Sequence, residues 1–147
     1  MMKEVSIDEI FDNIQDLFIE HREEVTTHKH IMILNPDMDK YRKMEEQGVL
    51  LILAAYVENK VVGYSVSFVC PHIHYADLIH AMNDLLFVKK EYRNSMIGFK
   101  LIKETERKAK GRGARFMLWH AKENTSLAVM LPGMGCGIQD IVFSKEL

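Results

Sequence analysis

Leu86-Phe87-Val88-Lys89-Lys90-Glu91-Tyr92-Arg93-Asn94-Ser95-Met96-Ile97-Gly98-Phe99-Lys100-Leu101-Ile102 is the most informative stretch of the chain. Its apolar opening reads as the end of a strand, and Lys89 to Asn94 as a polar turn. From Ser95 the apolar residues Ile97, Leu101, Ile102, Thr105 and Ala109 recur at helical spacing up to a stop at Gly111. A strand that turns sharply into a helix aims the unpaired N–H groups of the first turn, and the positive end of the helix dipole, at one point. Such a point holds phosphate or pyrophosphate with little help from side chains. Arg93 stands just before it, and Lys89, Lys90 and Lys100 flank it. An ordinary strand–helix connection with a solvated charge cluster has the same pattern, so the turn alone leaves both readings open.

Working outward, residues 77–88 read as a long strand. Its odd positions Ile79, Ala81, Leu85 and Phe87 are apolar, and its even positions His80, Met82, Asp84, Leu86 and Val88 are mixed. Before it, the apolar runs Val49–Glu58 and Val61–Cys70 meet at Asn59-Lys60, an antiparallel hairpin. Ser6-x-x-Glu9 is a capping-box signature, and Ile7, Ile10, Phe11, Ile14, Leu17, Phe18, His21 and Val25 follow at three and four, predicting a helix over 6–26. Asn35, Pro36 and Gly48 bracket a second helix, 36–47, with the stripe Met38, Tyr41 and Met44. Beyond the central helix come a strand at Ala114–His120, a short helix capped by Asn124 and ended by Pro132, a bend at Gly133, Gly135 and Gly137, and a final strand at Ile138–Ser144. This order predicts one mixed α/β domain over 1–147, with a helix crossing between two parallel strands.

Composition narrows the function classes. The chain has 147 residues, of which 48% are hydrophobic and 27% charged, enough for a core without staples. Net charge is −2, from 19 Lys and Arg against 21 Asp and Glu, so the basic footprint of non-specific nucleic-acid binding is absent. Two cysteines allow one bridge at most. The most apolar run, Val49 to Val57, falls far short of the ~20 residues of a membrane span. The start, Met1-Met2-Lys3-Glu4-Val5, shows no signal-peptide pattern, and the expected location is the cytoplasm.

Two signatures carry a family resemblance. Val88-x-x-x-Tyr92-Arg93-x-x-Met96-x-Gly98 resembles the acyl-CoA loop of the GNAT superfamily of N-acetyltransferases, Arg/Gln-x-x-Gly-x-Gly/Ala after a strand ending in Val. Asn124-x-x-Leu127-x-x-Met130-Leu131-x-x-Met134-Gly135-Cys136 resembles the family's second signature, Asn-x-x-Ala-x-x-Leu-Tyr-x-x-x-Gly-Phe. The resemblance runs from about Val49 to the end, and is strongest to small acetyltransferases of bacteriophage and bacterial genomes. It departs at three places: Met96 replaces the first loop glycine, Leu131 replaces a tyrosine that often protonates the leaving thiolate, and Cys136 replaces an aromatic residue.

The resemblance implies a mixed, mostly antiparallel β-sheet with a central splayed pair of parallel strands, here 77–88 and 114–120, flanked by helices. It implies acetyl-CoA in that splay, CoA as product and an amine acceptor that attacks the thioester directly. Pantetheine is then expected on the backbone at Leu86, Phe87 and Val88, with the Val88 N–H as oxyanion donor. The pyrophosphate is expected on the loop Arg93, Asn94, Ser95, Met96, Ile97, Gly98 and Phe99, with Asn124 also in the cofactor set. Two roles remain, a base for the ammonium proton and donors for the oxyanion.

Asp84, four residues before Val88, is expected on the strand face of His80, Leu86 and Val88, as base or as anchor of a neighbouring loop. His120, at the end of the opposite strand, is the other base candidate, against a core or capping role. Tyr75 is a candidate acid that nothing in the sequence positions. Cys70-x-His72-x-His74 and His28-x-His30 have metal-type side chains at close spacing, but no fourth ligand is fixed, and no metal is expected. A second reading keeps the fold without turnover: a CoA-binding or protein-interaction module. No nucleic acid or membrane partner is expected. A homodimer is possible by analogy.

Overall fold

A computed structural model describes residues 1–147. The elements run β1 (Met2–Glu4), α1 (Ile7–Val25), α2 (Met38–Glu46), β2 (Leu50–Val57), β3 (Lys60–His72), β4 (Tyr75–Val88), a 3-10 turn at Lys90–Tyr92, α3 (Ile97–Gly111), β5 (Phe116–Leu118) and α4 (Ser126–Gly133). The five strands form one sheet in chain order. All neighbours are antiparallel except β4 and β5, which are parallel.

The alternation of β2 divides the core into two layers. Leu50, Ile52 and Ala54 join Tyr64, Val66 and Phe87 beneath α1, which contributes Ile7, Ile10, Ile14 and Leu17. Leu51, Leu53 and Ala55 join Val62, Val69 and Ala81 beneath Leu101 and Ala109 of α3. Burying each such side chain contributes roughly 1.5–3 kcal/mol, so α1 is held by its one apolar stripe. Its start is fixed twice. Ser6 Oγ accepts from the Glu9 N–H at 3.1 Å, and Glu45 of α2 accepts from the Ile7 N–H at 2.8 Å. Glu9 does not complete a capping box; its carboxylate pairs with Lys3 at 2.7 Å. The helix kinks at Ile14 (φ −128°, ψ 17°), where the neighbouring Asn13 amide donates to the Glu9 carbonyl at 2.6 Å.

Three expectations are corrected. The strand expected at Ile138–Ser144 does not form; residues 136–147 are without helix or strand, and none of them pairs with the sheet. The second helix begins at Met38 with Asp37 as cap, its side chain accepting from the Lys40 N–H, so Asn35 and Pro36 lie outside it. The last helix is capped by Thr125, whose Oγ1 accepts from the Ala128 N–H, while Asn124 takes a left-handed backbone (φ 61°) one residue earlier. The β1 strand, three residues paired with β2, has too little pattern to be read from sequence.

Candidate active site

β4 and β5 pair only from His80 to Met82 against Phe116 to Leu118. Beyond that point the two strands separate, and one side chain bridges them. Asn83, 6% exposed, donates from Nδ2 to the His120 carbonyl at 3.2 Å and accepts the His120 N–H at Oδ1. The amide thus replaces a ladder rung that the diverging backbones no longer make. From Asp84 to Val88, β4 has no strand on its β5 side, which opens a cleft.

A β-bulge sits at the mouth of this cleft. Leu85 pairs with Val66 and Asn83 with Ser67, so Asp84 has no partner on β3. The extra residue reverses the side-chain parity. Ile79 and Ala81 face α3 before it, as Leu86 and Val88 do after it, while Leu85 and Phe87 face α1. Asp84 therefore does not share a face with Leu86 and Val88, contrary to the sequence expectation. It points to the α2 side, where Tyr41 donates its hydroxyl to Asp84 Oδ2 at 2.6 Å. Burial, reinforced by that carboxylate, raises the Tyr41 phenol well above its usual range, so it stays a donor at neutral pH. Asp84 is exposed and has no cationic partner. Tyr41 is the residue the sequence reading missed; its stripe position announced packing alone.

The backbone of β4 has a fixed polarity here. The Lys89 N–H donates to the Val62 carbonyl at 2.9 Å, and the alternation of an antiparallel ladder then directs the N–H and C=O of Leu86 and Val88 away from β3, into the cleft. Those of Phe87 are directed to Tyr64, so Phe87 cannot offer backbone to a pantetheine arm, and its ring lies in the α1 core. Opposite Val88, Gly63 is required by close approach: a Cβ there would meet the Phe87 carbonyl at 2.9 Å.

The turn after β4 leaves its amides bare. The N–H groups of Asn94, Met96, Gly98 and Phe99 donate to no group of the chain, while Ser95 Oγ takes the Ile97 N–H at 3.3 Å. A Cβ on Gly98 would meet only Val88 Cγ2 at 3.8 Å, so nothing within the chain excludes a side chain there; glycine leaves the cradle open. Met96 is 56% exposed. Arg93, expected on the pyrophosphate, is committed elsewhere. It donates from Nε to the Val88 carbonyl at 2.8 Å and grips Glu24 of α1 in a bidentate pair at 2.6 Å each, with its guanidinium 5.3 Å from the Phe87 ring centre. The hydrogen bond from Arg93 in turn holds the Glu24 carboxyl below its usual range. Arg93 is thus a clamp joining loop, strand and α1.

His21 lies beneath this clamp. It is buried, hydrogen-bonded through Nδ1 to the Tyr64 hydroxyl at 2.8 Å and stacked on Phe87 at 4.8 Å. Burial lowers its pKa to about 4, so it is neutral at pH 7.

The remaining candidates divide by position. His120 has its backbone fixed by Asn83, where β5 leaves β4, and its side chain exposed. Tyr75 starts β4, nine residues before Asp84, roughly 30 Å away at ~3.3 Å per residue, and is packed against His72; it does not reach the cleft. Asn124 is exposed and caps nothing. His72 Nδ1 accepts the His74 N–H at 3.1 Å. A hollow of about 310 Å³ lies away from the cleft. Its charged groups satisfy each other, Glu4 with Arg112 at 2.5 Å and Lys108 at 2.9 Å.

The model of the acetyltransferase (GNAT) family matches residues 10–130. The chain belongs to that family. No curated protein matches it. Among solved structures it is similar to an aminoglycoside acetyltransferase, meta-AAC0020, from an uncultured soil metagenomic sample in complex with trehalose, with 21% identity, TM-score 0.74 and coverage of 100% of this chain and 95% of that one. It is also similar to a ribosomal-protein-alanine N-acetyltransferase from Brucella melitensis biovar Abortus 2308, with 15% identity, TM-score 0.71 and coverage of 100% and 99%. A third is AAC(6')-Iy in complex with the bisubstrate analogue CoA-S-monomethyl-acetylneamine, with 13% identity, TM-score 0.67 and coverage of 100% and 97%. At these identities the likeness is one of fold. This GNAT domain is an acyl-CoA N-acyltransferase by family, and its mixed sheet with one parallel pair is the arrangement the sequence implied.

Proposed function

We propose that this chain transfers an acetyl group from acetyl-CoA to a primary amine that arrives as its ammonium form. The observation that carries the reading is the line of bare donors running from the Val88 N–H down the cleft to the amides of Met96, Gly98 and Phe99, beside a carboxylate without a cation. Acetyl-CoA, when bound, supplies the activated acyl group. The amides of Asn94, Met96, Gly98 and Phe99 suit its pyrophosphate, and the cleft-facing N–H and C=O of Leu86 suit its pantetheine, the Val88 carbonyl being held by Arg93.

The chain's own chemistry then follows from position. Asp84 attracts the ammonium and takes a proton from it, directly or through water, which frees the nitrogen lone pair. Tyr41 holds the carboxylate through Oδ2 and leaves Oδ1 for the acceptor. The Val88 N–H is the donor for negative charge developing at the acyl oxygen, worth ~2.7–4 kcal/mol in comparable sites. His120 is the second base, on the opposite lip. The carboxylate of Asp84, without a cationic partner, favours a basic amine, in keeping with the aminoglycoside enzymes among the similar folds.

A CoA-binding module without turnover is the second reading. It has Leu131 on its side, buried where the family pattern has tyrosine, with no hydroxyl for the departing thiolate. Thiol release from acetyl-CoA, measured against a panel of aminoglycosides, polyamines and peptides beginning with alanine, separates the two. Release that depends on and saturates with an amine supports transfer. Folded protein that binds CoA and releases no thiol with any amine supports the module.

A further inference from the structure

The turn between β4 and α3 is held mostly by bonds within itself. The Tyr92 N–H donates to the Lys89 carbonyl at 2.9 Å, and the Ser95 N–H to the Tyr92 carbonyl at 3.1 Å. Asn94, Ser95 and Met96 are exposed, and α3 starts at Met96 without a side-chain cap. Tyr92 and Ile97 pack on the α3 layer of the core. Toward the α1 layer, the turn's hydrogen-bonded tie is Arg93 with Glu24.

Glu24 is firmly anchored on its own side. It stands in the last turn of α1. His21, three residues earlier, is buried, stacked on Phe87 and bonded to Tyr64, which fixes that end of the helix on the core. A carboxylate at a helix C-terminus faces the negative end of the dipole, so helix formation does not account for glutamate at this place. The pair with Arg93 does. Arg93 Nε is on the Val88 carbonyl at 2.8 Å and both its terminal nitrogens are on Glu24 at 2.6 Å, so the guanidinium is a strut of fixed geometry between β4 and α1.

We infer that Glu24 is a positioning residue for acetyl-CoA, an inference that rests on the functional reading above. Through Arg93 it fixes where the amides of Asn94, Met96, Gly98 and Phe99 stand relative to the Val88 N–H. Bare amides hold an anion well only when they converge on it, and a loop that must be ordered on binding costs affinity. The opposite role for Arg93 makes the inference testable by sign. If Arg93 were itself the pyrophosphate ligand, Glu24 would compete with the cofactor for it, and removing the Glu24 charge would tighten binding. As a strut, Arg93 needs Glu24, and the same change loosens binding.

Isothermal titration of the full chain with CoA reads that sign. Glu24→Gln keeps the size of the side chain and one acceptor oxygen but loses the charge. Glu24→Ala removes both bonds and is favourable in a helix. Glu24 is exposed, so both variants are expected to fold, which far-UV circular dichroism verifies. The dissociation constant is expected to rise about fivefold in Glu24→Gln and further in Glu24→Ala, a modest factor because water screens a part-exposed pair. In steady-state assays KM for acetyl-CoA is expected to rise by a like factor while kcat stays within about twofold, a split that a loss of stability alone does not produce. A folded Glu24→Ala that binds CoA as tightly as wild type, or more tightly, overturns the inference and leaves the functional reading standing. A wild-type chain that does not bind CoA overturns both.

Discussion

Replacing Asn83 tests whether one amide holds the cleft open. Asn83→Ala removes the bond from Nδ2 to the His120 carbonyl and the bond from the His120 N–H to Oδ1. A net hydrogen bond is worth about 0.5–1.5 kcal/mol, and a buried partner left unsatisfied costs a further ~1–3 kcal/mol. His120 is exposed, so water recovers part of that cost, while the site of Asn83 is buried and leaves a small void. The expected loss is about 2–3 kcal/mol in urea unfolding with an unchanged m value. Without the bridge the strands no longer have a fixed separation, so kcat/KM for acetyl transfer falls with stability.

Asn83→Asp sharpens the test. The introduced carboxylate still accepts the His120 N–H, but when ionised it faces the His120 carbonyl with no proton to donate. Burial and that carbonyl raise its folded pKa above the unfolded value of ~3.9. The folded state therefore prefers the protonated form: stability is highest near and below ~3.9, relative to wild type, and is lost as pH rises through the folded pKa. An Asn83→Ala variant within ~0.5 kcal/mol of wild type, or an Asn83→Asp variant whose deficit does not depend on pH, would refute the reasoning.

Three further outcomes follow from the cleft and the core beneath it. Asp84→Asn keeps an acceptor for Tyr41 and is expected to leave CoA affinity unchanged while lowering the transfer rate roughly 10²–10⁴-fold, and a wild-type rate would move the base to His120. Gly98→Asp puts a carboxylate and a Cβ into the open cradle; isothermal titration should show CoA binding weakened far more than urea unfolding shows the fold weakened, and equal affinity would make the turn a plain connection. His21 has a folded pKa lowered to about 4 against about 6.5 unfolded, so its contribution is present above pH ~6.5 and lost as pH falls through ~4, on the order of 3 kcal/mol at most; an imidazole that titrates near 6.5 by NMR contradicts its burial.

Local patterns were legible where one element packs one stripe. α1 and α3 follow their apolar spacing because each lies on a single face of the sheet, and the β2–β3 hairpin follows from two apolar runs around Asn59-Lys60. Features set by pairing were not. No residue type marks the bulge at Asp84; it arises where β4 slips by one against β3, and it reverses every side chain after it. Asn83 is an ordinary polar strand residue until β5 diverges from β4. Arg93 reads as a phosphate ligand because its partner, Glu24, lies 69 positions earlier on another element. Ile138–Ser144 has the composition of a strand, but a strand needs pairing, and none of its residues pairs with the sheet.

A crystal structure of the chain with CoA tests the central claim most directly. The reading predicts pyrophosphate oxygens within hydrogen-bond distance of the Met96, Gly98 and Phe99 amides, and the thiol end in the splay between Val88 and His120, within reach of the Asp84 side. CoA bound anywhere else, or those amides left unbonded with CoA present, contradicts it.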